Sequence, residues 1–365
     1  MKITKVETIV LNMPMIIEGA VVPTPMGAPR TSMEMLLVRV DTDEGVTGWG
    51  EGFGMRVFAT TRTAIDTIIG PMCIGQNPTE LGALVGKIER SIAGLGRNGP
   101  AMYGLSAIDI ALWDIAGKVA GLPIYQLLGG LPTKKLPAYA SLLHYGDVEA
   151  IGLRVRLALS RGYRHIKLHE TTIGSIRAAR DAAGPDIPIM VDCNCPWTVD
   201  EAIAMAQTLK PLDLMFLEEP VWPPDDHAGL AKVRQQGTIA TAAGENASFQ
   251  DFKSMLEAGS ITYAQPSIAK VGGVTQMCKV MALAQTFGIE VMPHSAYFGP
   301  GLLATIHCVA ALPGKSLIER FDCDFAVTPM HDAIDPDFDG CLAVPQGPGL
   351  GMDPDLAVIQ KLRVA

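Results

Sequence analysis

The sequence predicts an α/β protein built on a closed barrel of eight parallel strands, with a mixed α+β segment before it. Eight short apolar runs carry this prediction, because their starts are separated by 27, 24, 27, 24, 23, 28 and 27 residues and helix-like segments fill most of the gaps. The runs are 136–141, 163–168, 187–192, 214–219, 238–244, 261–265, 289–293 and 316–321. A strand and a crossover helix at this regular spacing are what such a barrel requires. An open doubly wound sheet is the alternative, but no Gly-rich fingerprint follows a strand and opens a helix.

The first 130 residues predict an α+β domain. Apolar and polar residues alternate in three runs typical of an antiparallel meander, and three later stretches have helical periodicity. The runs are 2–10, 34–41 and 46–51, and the helical stretches are 59–70, 79–91 and 100–120. A Pro/Gly-rich loop at 16–30 is too apolar for a plain connector, and we expect it to act as a lid over the substrate. The barrel is predicted over 131–325, and the segment 326–365 is expected to return to the N-terminal domain.

The composition argues against nucleic-acid-binding, membrane-spanning and disulfide-linked proteins. A net charge of −9 argues against a nucleic-acid or anionic-membrane surface as the main partner. No uncharged apolar stretch reaches the length of a membrane span, and the N-terminus lacks the pattern of a signal peptide. The seven cysteines are odd in number and scattered, which indicates reduced thiols and a cytoplasmic protein. Cys193 and Cys195 suggest a soft-metal site, but without a second pair nearby they are better explained as small barrel-lining residues.

Acidic residues follow three consecutive predicted strands. Asp192, Glu218 and Glu245 are 26 and 27 residues apart, one barrel unit each time. Three carboxylates at one mouth repel each other unless a hard cation neutralises them, and three oxygen ligands leave positions for water and substrate on Mg²⁺. Any one of these acids alone is better explained as a helix cap or a surface ion pair. The three in register predict a magnesium site, with Lys167 and Lys270 facing the same mouth.

Motifs along almost the whole chain resemble the enolase superfamily, and within it the mandelate racemase subgroup. The matching segments are SAIDIALWDIAGK followed by LLGG, KLH at 167–169, MVDCN at 190–194, FLEEP at 216–220, GEN at 244–246, KVGGVTQ at 270–276, PH at 293–294, ERFD at 319–322 and QGPGLG at 346–351. Together they are specific, although each alone is weak. The resemblance implies a (β/α)₇β modified TIM barrel with an N-terminal α+β capping domain that the C-terminal tail completes. It also implies metal ligation by Asp192, Glu218 and Glu245, and a homo-oligomer.

The resemblance further implies that one Mg²⁺ ion per subunit supports removal of the proton α to a substrate carboxylate, through a stabilised enediolate. The use of a Lys or His base with Mg²⁺ is a general property of that superfamily. In the subgroup the second barrel strand ends K-x-K, whose first lysine contacts the substrate carboxylate and whose second is the base. Here Lys167 keeps the first position and His169 takes the second. The two share one strand face, and a neutral imidazole needs no lowered pKa to act as a base. A carboxylate-bridging or purely structural imidazole is the alternative for His169.

A second departure lies after the sixth barrel strand. The subgroup places there an Asp that pairs with the seventh-strand His, whereas this chain has Ser267 beside the predicted partner His294. We therefore expect His294 to be a weak base, unless another acid such as Glu319 orients it. Glu319 itself matches the acid that hydrogen-bonds the substrate carboxylate. Further substrate contacts are expected from four residues, namely Asn194, Lys270, Tyr297 and Arg30.

The predicted activity is dehydration of a hydroxy acid, because one base and one acid suffice for β-elimination of water. Racemisation or epimerisation is the alternative, and it needs two competent bases on opposite faces of the substrate. A barrel that binds a carboxylate without turnover is a third possibility, since both departures affect acid–base residues. The expected partner is a small carboxylic acid. Aromatic residues that follow the third, fourth and seventh strands favour a less polar acid over a polyhydroxylated one.

Overall fold

The computed structural model describes residues 1–16, 31–312, 314 and 316–364. Its strands are β1 Ile3–Ile16, β2 Ser32–Thr42, β3 Thr47–Gly52, β4 Lys135–Ser141, β5 Ile166–Leu168, β6 Ile189–Asp192, β7 Leu214–Glu218, β8 Thr241–Ala243, β9 Tyr263–Ala264, β10 Glu290–Val291, β11 Ile318–Phe321, β12 Asp324–Phe325 and β13 Cys341–Ala343. Its α-helices are α1 Phe58–Ala64, α2 Gly70–Cys73, α3 Leu81–Ile92, α4 Pro100–Ala120, α5 Ile124–Leu127, α6 Val148–Ser160, α7 Ile173–Ala183, α8 Val199–Leu209, α9 His227–Gln236, α10 Phe249–Ala258, α11 Ile268–Val271, α12 Gly273–Thr286, α13 Pro300–Ala310 and α14 Leu356–Leu362.

Strands β4 to β11 form the barrel, and each of the eight predicted apolar runs contains one of them. The sheet has the order β10-β9-β8-β7-β6-β5-β4-β11, and the neighbouring barrel strands pair in parallel. Helices lie in all seven gaps between these strands. At the seam between β10 and β11, the Ser295 backbone N–H donates to the Glu319 carboxylate (2.7 Å). The predicted fold class, a (β/α)₇β barrel with an antiparallel N-terminal sheet, is confirmed.

The barrel interior is filled by one layer of apolar side chains below the mouth. Tyr139, Met190, Phe216 and Met292 form the largest part of this cluster and are fully buried. Side chains alternate along a strand, so the residues two positions further on, such as Ser141, Asp192 and Glu218, point to the same interior one layer higher. The apolar layer therefore supports the polar layer above it.

The N-terminal sheet has the order β12-β1-β2-β3 and packs on helix α4. Strand β1 is longer than predicted and runs to Ile16, which pairs with Asp324 of β12. The remainder of the predicted lid loop, residues 17–30, lies outside the described residues, as does Arg30. The Glu51 carboxylate accepts from the Gly301 N–H (2.9 Å) at the start of α13, which joins this sheet to the barrel.

The C-terminal segment contacts both parts of the chain. Strand β13 pairs with β4 of the barrel, while the Val364 N–H donates to the Val10 carbonyl of β1 (2.9 Å). The Gly349 backbone meets Pro123 just after α4. The domain boundaries at residues 130 and 325 stay a prediction. In the part of the chain that the structure describes, no helix is both long and apolar enough to cross a membrane.

Close packing of β3 against α4 depends on glycine. A Cβ atom at Gly50 would lie 1.9 Å from the Ala107 carbonyl oxygen of α4, so the helix would have to move. We expect Gly50→Ala to lower the free energy of unfolding by at least about 2 kcal/mol, as overpacked cores do. Gly82→Ala in α3 is the control, because a Cβ there has nothing within 4 Å and should stabilise by about 0.5–1 kcal/mol. Urea unfolding of both variants checks this, and equal midpoints would contradict it.

Candidate active site

Lys167 lies at the centre of the barrel mouth. Its side chain is fully buried on β5, and its ammonium group contacts carboxylates from three other strands. The distances from Nζ are 2.9 Å to Glu218, 2.9 Å to Glu319 and 3.2 Å to Asp192. Burial opposes the charge, but these carboxylates outweigh it and raise the pKa of Lys167 well above its usual value. Lys167 therefore remains an ammonium ion and cannot serve as a base in this state.

His169 directly follows β5, and like Lys167 it contacts Asp192. Its Nδ1 lies 2.5 Å from the Leu142 carbonyl oxygen, and its Nε2 lies 3.3 Å from Asp192 Oδ2. A carbonyl only accepts, so Nδ1 carries a hydrogen and Nε2 is the nitrogen that gains and releases a proton. Burial opposes protonation, but the Asp192 carboxylate outweighs it and raises the pKa of His169. The side chain is 18% exposed.

Glu245 lies two residues beyond β8 and is held by basic groups. His294 Nε2 is 2.9 Å from its carboxylate and Lys270 Nζ is 3.5 Å from it. Lys270 also donates to Asn246 (2.9 Å) and lies 4.2 Å from the centre of the Phe53 ring. This ring comes from the loop after β3, so the N-terminal sheet contributes directly to the mouth.

Within the part of the chain that the structure describes, the far nitrogen of His294 contacts a hydroxyl and no carboxylate. Ser267 Oγ is 2.9 Å from His294 Nδ1, and it also hydrogen-bonds the Tyr297 hydroxyl. Glu319 is not the partner of His294 Nδ1, because its oxygens accept from Lys167 and the Ser295 backbone N–H. Burial raises the pKa of Glu319, but Lys167 outweighs it and lowers the pKa to about 2. Glu319 is therefore ionised here.

Carboxyl groups outnumber ammonium groups at this mouth. Two ammonium groups, Lys167 and Lys270, face five carboxylates, which are Asp192, Glu218, Glu219, Glu245 and Glu319. Burial, followed by the neighbouring Asp192 carboxylate, raises the pKa of Glu218 well above its usual value. Burial, followed by Glu245, raises the pKa of Glu219 to about 8. The two ammonium groups therefore do not fully compensate the burial of Glu218 and Glu219.

The donor set fits a hard divalent cation. Within the described residues, no three His, Cys, Asp or Glu side chains already stand in an arrangement that holds a metal ion, because Lys167 and His294 take up the carboxylates. However, Asp192, Glu218 and Glu245 offer oxygen ligands, which hard divalent cations prefer. Among the described residues, the side-chain oxygen of Gln265, whose amide nitrogen donates to Glu218 (2.7 Å), is buried without a hydrogen-bond partner.

The structure brings most of the predicted site residues together. Asn194 reaches the mouth at its rim, where it is exposed and its amide donates to Asp192 (2.8 Å). Tyr297 is buried behind Ser267. Arg30 lies outside the described residues, so its predicted contact with substrate is not tested. The catalytic, substrate-binding and metal-binding roles stay predictions.

Two residues at the mouth were not predicted. Gln265 was detectable, because it is the last residue of the predicted run 261–265 and directly follows β9. Phe53 carries no sequence signal, since only the packing of the N-terminal sheet brings it to Lys270.

Comparisons with known proteins match most of the chain to the family that its motifs resemble. Residues 152–358 match the family described as Enolase C-terminal domain-like, and residues 14–129 match the Mandelate racemase / muconate lactonizing enzyme, N-terminal domain. The chain is 30% identical over 343 residues to the 3,6-anhydro-alpha-L-galactonate cycloisomerase of Streptomyces coelicolor, covering 91% of this chain and 92% of that protein. It is 29% identical over 338 residues to the arabinonate dehydratase of Saccharolobus solfataricus, covering 89% of each.

A solved structure agrees with these sequence matches. A racemase from Streptomyces coelicolor A3(2) with bound magnesium superposes with a TM-score of 0.86 at 29% identity, covering 99% of this chain and 100% of the other. Both parts of the sequence, the barrel and the whole fold thus lead to one family. The chain belongs to the enolase superfamily, as a member of its mandelate racemase / muconate lactonizing enzyme family.

Proposed function

We propose that this protein removes the α-proton of a small carboxylic acid with the help of Mg²⁺, and that it eliminates water from a hydroxy acid. The observation that carries the proposal is the pairing of Lys167 and His169 at the end of β5. One is a buried ammonium group and the other an imidazole whose Nε2 faces the mouth. Stabilisation of a developing anion and removal of a proton are the two operations that this reaction needs.

The α-proton is weakly acidic because its removal places a second negative charge on the substrate carboxylate. We propose that Lys167 faces those oxygens, so that its charge stabilises the enediolate as it develops. We propose that Asp192, Glu218 and Glu245 hold one Mg²⁺ ion, which when bound supplies further positive charge at the same oxygens. Glu319, held by Lys167, keeps the ammonium group in place.

Two histidines account for the two proton transfers of this reaction. We propose that His169 Nε2 takes the α-proton, so that the C–H pair becomes the new C=C bond. The β-hydroxyl then leaves with the C–O pair and takes a proton from His294, departing as water. β5 and β10 lie on different sides of the barrel, separated by β4 and β11 on one side, so the base and the acid are supplied from different directions.

Isomerisation is the second candidate. The relatives reported above are named a dehydratase and a cycloisomerase, and the family therefore makes this chain an enzyme of the lyase or isomerase type. The cycloisomerase relative and the similar racemase structure favour isomerisation, whereas the arabinonate dehydratase favours loss of water. Ser267 in place of a carboxylate beside His294 favours dehydration over racemisation, because it leaves a single strong base.

A screen of hydroxy acids in D₂O with Mg²⁺ tests the proposal. The library should contain sugar acids, which the relatives' names favour, and less polar hydroxy acids, which the aromatic residues at the strand ends favour. Dehydration is detected as a 2-keto acid, and racemisation as loss of optical rotation. Binding of an acid without deuterium incorporation would contradict both candidates and support a barrel that binds without turnover.

Removal of one proposed metal ligand should weaken magnesium binding. Glu218→Gln replaces one of three carboxylates, so we expect at least about a tenfold loss of Mg²⁺ affinity by calorimetry. Glu219→Gln is the matched control, because Glu219 is the adjacent, partly buried acid and its carboxylate accepts from the Gly244 N–H (3.5 Å). The Mg²⁺ affinity of Glu219→Gln should stay within a few-fold of wild type. Equal Mg²⁺ binding by wild type and Glu218→Gln would refute the metal assignment.

A further inference from the structure

Two of the seven cysteines contact each other in the helix layer of the barrel. Cys278 lies on α12 and Cys308 on α13, and a hydrogen bond joins their thiols. The two helices pack against each other, so regular structure holds both side chains. Neither thiol takes part in the proposed reaction. Two thiols in contact meet the first geometric requirement of a disulfide, which is proximity of the two side chains.

The two thiols differ in exposure and in acidity. Cys278 is half-buried, whereas Cys308 is fully buried. The hydrogen bond that Cys308 donates lowers the pKa of Cys278, because it stabilises the thiolate, and this outweighs the opposing effect of burial. The same bond, followed by burial, raises the pKa of Cys308 well above its usual value. Cys278 is therefore the thiol that ionises, and Cys308 is the one that keeps its hydrogen.

Four other cysteines have the opposite acidity. Burial raises the pKa of Cys73, Cys193, Cys195 and Cys341. Cys341 is half-buried like Cys278, so exposure alone does not distinguish these two. The thiolate is the reactive form of cysteine, and a lowered pKa increases its population at neutral pH. Cys278 is therefore the more reactive of the two.

The surroundings of the pair do not include the residues of the barrel mouth. Among the described residues, the groups that act on the two thiols are each other and Asp109 of α4. The Asp109 carboxylate accepts from the Thr275 N–H (3.0 Å), near the start of α12. Its charge raises the pKa of both thiols, but less than the hydrogen bond lowers that of Cys278. An inference about this pair does not rest on the proposed function.

We propose that Cys278 and Cys308 form a site of reversible oxidation, at which a low-molecular-weight disulfide converts the two thiols into a disulfide bond between α12 and α13. The Cys278 thiolate attacks one sulfur of the small disulfide and forms a mixed disulfide, and the released thiolate takes up the proton that Cys278 lost. The Cys308 sulfur then attacks the Cys278 sulfur, and the second small thiolate leaves with the Cys308 proton. Two protein thiols are oxidised, and one small disulfide is reduced to two thiols. Excess small thiol reverses both steps.

Mapping of the disulfide tests the proposal on the full wild-type chain under native conditions. The protein is incubated with glutathione disulfide, free thiols are blocked with N-ethylmaleimide, and the unreduced peptides are analysed by mass spectrometry. We expect a peptide pair joined through Cys278 and Cys308, which excess reduced glutathione separates. Glutathione on Cys278 with Cys308 free would overturn the proposal, as would two free thiols.

Two serine variants separate the two steps. Cys308→Ser keeps a hydrogen-bond donor but removes the second thiol, so the mixed disulfide with glutathione should accumulate on Cys278. Cys278→Ser removes the attacking thiol, so Cys308 should stay unmodified. Glutathione on Cys308 in that variant would overturn the order of the steps. The wild-type map decides the proposal even if neither variant folds.

Alkylation rates test the activation of Cys278, with Cys341 as the matched half-buried control. At neutral pH we expect iodoacetamide to modify Cys278 at least about tenfold faster than Cys341 in the reduced wild-type protein. Cys308→Ala removes the hydrogen-bond donor, so the ratio of the two rates should fall several-fold, whereas Cys308→Ser should retain most of it. Equal rates at Cys278 and Cys341 in wild type would overturn the assignment of Cys278 as the attacking thiol.

Discussion

Replacement of His169 by Asn is expected to abolish exchange of the substrate α-proton. The amide has no basic nitrogen, and the neighbouring Lys167 does not replace it, because the three carboxylates around it keep it charged. Loss of a general base costs a factor of about 10²–10⁴ in rate. Deuterium incorporation into the substrate, followed by NMR in D₂O, measures this loss. Magnesium affinity should stay near wild type, because His169 is not one of the proposed ligands.

His144→Asn is the matched control for this experiment. His144 lies next to His169 on the adjacent strand end, where its Nδ1 is 2.8 Å from the His169 carbonyl oxygen and 3.3 Å from Glu170. It therefore shares the surroundings of the proposed base without occupying its position, and its loss should change the exchange rate only a few-fold. Exchange at nearly the wild-type rate in His169→Asn would move the base elsewhere, first of all to Lys167.

Exchange of the α-proton is expected from only one enantiomer of the substrate. His169 presents its Nε2 to the mouth as the proposed base, whereas His294 Nδ1 contacts the Ser267 hydroxyl in place of a carboxylate that would stabilise an imidazolium. With a single competent base, we expect the exchange rates of the two enantiomers to differ by at least about a hundredfold. Incubation of each enantiomer in D₂O with Mg²⁺ measures the ratio. Equal rates in wild type would contradict this expectation.

Ser267→Asp should extend exchange to the second enantiomer. A carboxylate at this position would accept from His294 Nδ1 and stabilise the imidazolium, so that Nε2 becomes a base. Ser267→Ala is the control, because it removes the hydroxyl without adding a charge. In this variant, α-proton exchange should remain limited to one enantiomer. The acid expected as an alternative partner of His294, Glu319, does not supply this effect in wild type, since it binds Lys167 and Ser295.

The regular spacing of apolar runs was sufficient to predict the barrel. A strand and a helix must each bury a side, so the crossover length recurs in the sequence, and all eight runs became strands. The same spacing placed Asp192, Glu218 and Glu245 at one mouth. The period of two along β5 placed Lys167 and His169 on one face. These are local rules, and they need no knowledge of which distant residues meet.

The hydrogen-bond partners of the site residues were decided only by the tertiary structure. Nothing in the sequence joins Tyr297 to Ser267, or Phe53 to Lys270, because these contacts form between a strand end and loops from other parts of the chain. The partner of each histidine Nδ1 is such a contact, a carbonyl at His169 and a hydroxyl at His294. The sequence by itself thus determined the barrel and the side chains at its mouth. Packing determined which of them donates and which accepts, because hydrogen-bond direction depends on contacts that sequence spacing does not encode.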